Sequence, residues 1–162
     1  MGLEDFFSWV ESWPMAEAIR TSVWMFPTIE SLHVLAIVFV VGSIVEVDLR
    51  LLGVIWRDRP VTSVSAEMLP WTWTSFAVAA VTGLLLFTSH ALRYYENVYY
   101  VSKMVFLVLA GLNVWYFERV TFRGVAAWDN EVRLPSNARF AAAASLILWM
   151  SIVTAGRFVG FI

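Results

Sequence analysis

Four stretches of this chain are each long and apolar enough to cross a lipid bilayer, which takes about 20 helical residues. They run from about Ser31 to Trp56, Trp71 to Leu92, Tyr99 to Phe117 and Ala138 to Ile162. In hydrocarbon every backbone N–H and C=O needs a partner inside the segment, which only a helix or a closed barrel supplies. Runs of this length favour the helix. The chain is 60% apolar and 15% charged, against about 25% charged residues in soluble domains. The predicted class is therefore all-α: an integral membrane four-helix bundle of one domain, residues 1–162. Pro60, Glu96-Asn97 and Pro135-Ser136 mark the connections.

Residues 1–27 follow a different pattern. Phe6, Phe7, Val10 and Trp13 recur at helical spacing against Glu4, Asp5 and Glu11, and Pro14 opens a second short piece. Neither piece can span a membrane. The spacing predicts an amphipathic helix pair at the interface, with Trp9, Trp13 and Trp24 at the bundle mouth. A peripheral anchor without a role in any site is the alternative. The acidic start, with no apolar core before a cleavage site, argues against a secretory signal.

Lys and Arg set the expected orientation. The connection between the first two spans and that between the last two carry Arg50, Arg57, Arg59, Arg119, Arg123, Arg133 and Arg139. The other side holds Arg20, Arg93, Lys103 and Arg157. A bacterial inner membrane protein with both termini outside is expected. A net charge of −2 offers no basic surface for nucleic acid. With no cysteine in the chain, disulfides, thiolate metal sites and Cys nucleophiles are excluded. No Gly-rich phosphate loop or nucleophile motif appears.

The candidate site rests on the two histidines. His33 opens the first span and His90 closes the second. Seventeen residues separate Arg50 from His33, and seventeen separate Trp73 from His90. At about 1.5 Å per residue the two imidazoles are expected at one depth on antiparallel neighbours. Lys103 and Arg157 belong to the same layer by the same count. Ionisable groups there mark function by default, although Lys103 and Arg157 can also snorkel to the interface.

Two imidazoles on facing helices suit an iron porphyrin. The reading is one b-type haem ligated by His33 and His90. Gly83, with Ala79 and Thr72 on the same face, would admit the flat ring, and Lys103, Arg157 and Arg93 would neutralise its propionates. Close helix packing through small residues is the bland account of Gly83. Copper held by His and Met, or a His33–Glu30 site, are the metal alternatives. Asp48 and Asn113 form a second polar set, for which an ion pair of Asp48 with Arg139 or Arg119 is expected.

The pattern ES-LHVLAIVFVVGSI-DLRLLG, with PWTW before the second span and LAGLN in the third, resembles a family of small, uncharacterised four-helix bacterial membrane proteins. A His on the first span and a Lys on the third are also similar to HemJ-type protoporphyrinogen oxidases and to copper-resistance D membrane domains. Under the oxidase likeness the carried-over positions are His33 and Lys103. The expected function is electron transfer by a membrane haem protein near the outer face. Its partners would be the lipid bilayer, a quinone and a periplasmic redox protein. A haem- or quinone-linked oxidoreductase and a cofactor-free subunit of a homo-oligomer or larger membrane complex are the alternatives.

Overall fold

The computed structural model describes residues 2–131 and 134–161; Arg133 and the final Ile162, both used in the sequence reading, lie outside them. Among the described residues there is no strand. The helices are α1 (Leu3–Glu11), α2 (Pro14–Thr21), α3 (Met25–Leu51), α4 (Val61–Ser89), α5 (Ala91–Glu96), α6 (Val98–Tyr116) and α7 (Ser136–Phe158). A π-turn over Phe117–Thr121 and a 3-10 segment over Phe122–Ala127 continue α6. Four segments are long and apolar enough to cross a membrane: α3, α4, α6 with its extension, and α7.

Local chemistry explains where these helices stop. Beyond α3, Gly53 takes a left-handed φ of 72°, as a glycine readily does. Its N–H donates to Arg50 C=O and that of Val54 to Leu49 C=O, both at 2.9 Å, which is a complete Schellman closure. The first span therefore ends before Trp56. It also starts earlier than expected, because Pro27 sits in the first turn, where a helical N–H has no partner to lose. Asn97 opens α6 by accepting the N–H groups of Tyr99 and Tyr100 at 3.0 and 3.2 Å.

The largest departure from the sequence reading is α4. It begins at Val61 behind Pro60 and carries Pro70 inside it, ten residues before the expected start at Trp71. One proline removes one i→i−4 bond, which a 29-residue helix packed along α3 absorbs.

The long helices form two hairpins. α3 packs on α4, α6 packs on α7, and α3 meets α7 between them. α4 and α6 share no comparable seam. One end of the molecule, the loop end, is tied by Arg50, which is 0% exposed. Its Nε donates to Arg59 C=O at 2.8 Å and its Nη2 to Asp129 C=O at 3.4 Å. The Asp129 carboxylate in turn accepts the Thr62 N–H and hydroxyl at 2.8 and 2.6 Å, which satisfies the start of α4. Leu51, Val61, Trp128, Leu134 and Ala138 pack around this knot.

The other end carries α1, α2, α5 and the terminal turn. The expected short helix pair forms. Glu11 accepts the Leu92 N–H at 2.9 Å, Arg20 donates to Ser89 C=O at 3.3 Å, and Phe7 packs on Phe87 and Tyr95. Trp9, Trp13 and Trp24 remain exposed.

Candidate functional site

Two hydroxyl contacts fix the register of α3 against α4. Ser43 Oγ and Thr72 Oγ1 lie 2.8 Å apart. Ten residues along each helix, His33 Nδ1 lies 2.9 Å from Thr82 Oγ1. Thr82 already donates its only hydroxyl proton to Val78 C=O at 2.7 Å. With that proton so engaged, the pairing assigns the donor role to His33 Nδ1 and leaves Nε2 unprotonated.

His90 shows the same arrangement at another level. Its Nδ1 is 3.0 Å from Ser89 Oγ, and that hydroxyl donates to Leu86 C=O at 2.7 Å. On an unbroken helical wheel Ser89 and His90 point apart. They meet here because α4 ends at Ser89 and His90 has left the helix, with φ −148° and ψ 50°.

The two rings do not share a depth, which corrects the expectation of a single iron between them. His33 sits opposite Thr82 and Gly83. His90 lies eight residues beyond Thr82, about 12 Å along a helix, and its ring packs against Phe26, centroid to centroid 5.9 Å. Phe26 is itself two turns before His33. The error came from starting the second span at Trp71, which set its register wrongly against α3.

Gly83 has a different task from the one expected. A Cβ at this position would fall 2.9 Å from His33 Cε1. The missing side chain therefore seats the imidazole of His33 itself rather than a macrocycle. Lys103 lies across from this pair, with its Cδ 3.8 Å from where a Gly156 Cβ would be, and its charge is close enough to act on His33. The structure thus brings together His33, Gly83 and Lys103. Arg157 stands apart, its guanidinium 5.0 Å from the centre of the Phe161 ring. His90 belongs to a charged group at the terminal end, with Glu11 from α1, Arg20 from α2 and Arg93 from α5. Among the described residues no three His, Asp or Glu side chains gather as a metal site.

The polar set in the other half was only partly legible. Asn113 Nδ2 donates to Ala141 C=O at 2.9 Å and pins α6 to α7. Asp48 makes none of the expected ion pairs. Arg59 pairs instead with Glu67, at 2.6 Å. Asp48 is 6% exposed, and its Oδ2 has no hydrogen-bond partner. Trp149 Nε1, also buried, has none either. Both residues line a cavity of about 250 Å³ between α4 and α6. Sequence reasoning missed Trp149 because one indole among nine tryptophans carries no signal of its own.

The sequence profile of a family of unknown function, DUF6644, matches residues 6–162. The chain belongs to that family. No curated protein and no solved structure matches the chain.

Glycine substitutions separate the roles of two positions in these family helices. Gly83→Ala is expected to lower stability by about 1–3 kcal/mol through the forced shift of His33. Gly42→Ala, where a Cβ meets nothing within 4 Å, is expected to be neutral or to gain up to about 1 kcal/mol from helix propensity. Thermal unfolding in detergent measures both.

Burial first, and then the Arg20 and Arg93 charges, push the His90 pKa below its ordinary 6.5, against an opposing pull from Glu11. The folded chain thus favours neutral His90. Its contribution to stability is complete above pH 6.5 and is lost as pH falls through the depressed folded value. The unfolding temperature of the native chain is expected to drop below that pH, and His90→Gln is expected to flatten the drop.

Proposed function

We propose that the protein is an integral protein of a bacterial inner membrane, with both termini outside, that binds one b-type haem through His33. The observation that carries the reading is the Nδ1 hydrogen bond to Thr82. Ligating histidines are typically held this way, through the nitrogen that does not meet the metal. The bond leaves Nε2 as a neutral, unprotonated donor, which is the form a metal takes. Lys103 adds a positive charge at the same level, suited to a propionate.

When bound, the haem supplies one-electron chemistry. His33 would hold the haem alone, with His90 at another level, and the reading therefore favours a haem-linked oxidoreductase over an electron carrier held by two histidines. Thr82 orients the imidazole, Gly83 leaves it room, and Lys103 balances charge.

Orientation rests on the Arg-rich connections at the loop end. Reporter fusions after Arg59 and after Arg133 are expected to report cytoplasm, and a periplasmic signal at either would reverse the assignment.

Protein purified from haem-replete cells is expected to show a haem b absorbance spectrum. His33→Ala should abolish it and His90→Ala should leave it. Thr82→Val should weaken haem affinity by about 10- to 100-fold, the range seen for partners of metal ligands. A colourless, folded protein would overturn the haem reading in favour of a cofactor-free subunit.

A further inference from the structure

The two short helices that precede α3 sit on the junction of α4 and α5 and grip it with charged side chains. We propose that α1 and α2 form an acid-released latch: proton binding at His90 frees the pair from that junction. The proposal is independent of the haem reading.

The junction is a break with unmet backbone groups. α4 stops at Ser89, His90 leaves the helical conformation, and α5 starts at Ala91. A helix stop leaves carbonyls without partners, and a helix start leaves N–H groups without them. Here one of each is met from outside. Arg20 on α2 donates to Ser89 C=O at 3.3 Å, and Glu11 at the end of α1 accepts the Leu92 N–H at 2.9 Å. Ser89 and Ala91 are both 0% exposed, so the seated pair stands where water would otherwise be.

The pair is lightly held. α1 has nine residues and α2 eight, lengths at which an isolated helix is marginal in water. Their buried residues are Val10, Ala16 and Ile19. The two charged contacts are therefore a large share of what seats them. α3 keeps its own start without them, because Ser22 Oγ accepts the Met25 N–H at 3.1 Å. Ser22 itself is extended, with φ −79° and ψ 126°, and forms the joint on which α2 can turn away from α3. Short elements with few apolar contacts are the ones that open first.

His90 sits where a proton opposes this seating. Its Nδ1 lies 3.0 Å from Ser89 Oγ, on the residue whose carbonyl Arg20 grips. Charged groups on three elements act on the ring: Glu11 from α1, Arg20 from α2 and Arg93 from α5. α3 presents the ring of Phe26 at 5.9 Å, and α5 adds that of Tyr94 at 6.5 Å. Glu30 on α3 acts on Tyr94, and Tyr100 on α6 stacks behind it. Partial burial and two cations against one anion disfavour the imidazolium. Lifting α1 and α2 opens the ring to water and takes Arg20 away. Glu11 leaves as well, which works the other way, but burial and Arg20 outrank it. The released form thus binds the proton more tightly, and a proton that prefers one of two states shifts their ratio toward it.

The chain has no cysteine, so nitroxide labels go only where cysteines are introduced. Met15→Cys on α2 and Val98→Cys at the start of α6 are exposed positions, as are Val38→Cys on α3 and Val108→Cys on α6, which serve as a control pair. Electron double resonance on the full chain in lipid nanodiscs tests the latch. One Met15–Val98 separation is expected at neutral pH, and a second, longer one in acid. The ratio of the longer to the shorter should rise at least about tenfold between about pH 7.5 and about pH 5, since one proton supplies up to about tenfold per pH unit. The rise belongs below 6.5, the ordinary value for the imidazole. The control pair should stay fixed, and His90→Gln should keep the single separation in acid. Arg20→Gln retains a donor for Ser89 C=O without the charge and should show a smaller rise than the native chain. Should His90→Gln misfold, Arg20→Gln still decides. Unchanged separations in acid would overturn the proposal. So would an equal rise in either variant, or movement of the control pair, which marks opening of the whole bundle.

Discussion

The register between α3 and α4 governs what the rest of the molecule can do. Two hydrogen bonds between small side chains, Ser43 with Thr72 and His33 with Thr82, hold it at two heights. An apolar helix pair can slide by a turn with little change in buried area, because one aliphatic side chain serves much like another. Polar pairs restrict that freedom, since a slip takes the His33 ring nitrogen away from its hydroxyl partner in a medium that offers no replacement. This register puts Gly83 behind the imidazole of His33 and moves His90 out to the charged rim. A shift of two turns would have made the two histidines neighbours.

The second determinant is the loop-end knot. Arg50 sits on the last turn of α3 and reaches the backbone of the α3–α4 connection and of the α6–α7 connection. Asp129 closes the circuit by capping α4. The two hairpins are joined here and along the α3–α7 contact. The aromatic stack of Phe87, Tyr94 and Tyr100 ties the opposite end. Tying both ends lets α4 and α6 stay apart between them. The cavity is therefore a consequence of the architecture and not a packing fault in one helix.

Buried polar groups divide the long helices into two zones with different character. Around His33 one ring nitrogen is paired with the Thr82 hydroxyl. Around Asp48 and Trp149 hydrogen-bonding capacity is left over on both residues. The two zones are separated by two turns of α3, from His33 to Val40.

Much of the fold was written in the sequence. Twenty or so apolar residues in a row admit only a helix, because backbone groups in hydrocarbon must pair within their own segment. The four long helices, the short amphipathic pair before them and the break at Asn97 follow from composition and spacing. So does the tie between Asn113 and the neighbouring helix. Helix ends near proline were harder. Pro60 marks a connection and caps α4, whereas Pro70, just before the expected start at Trp71, lies inside it. Pro60 at the helix start forfeits no hydrogen bond, whereas Pro70 forfeits one, a cost that the packing of α4 along α3 bears. Depth, facing and partnership therefore belonged to the tertiary structure. It set His33 against Thr82 and not His90, and buried Asp48 without an arginine to pair it. The reason is that apolar periodicity fixes which residues are helical and roughly which way they face. The relative height of two helices depends on a few polar contacts that become visible only when both chains are in place.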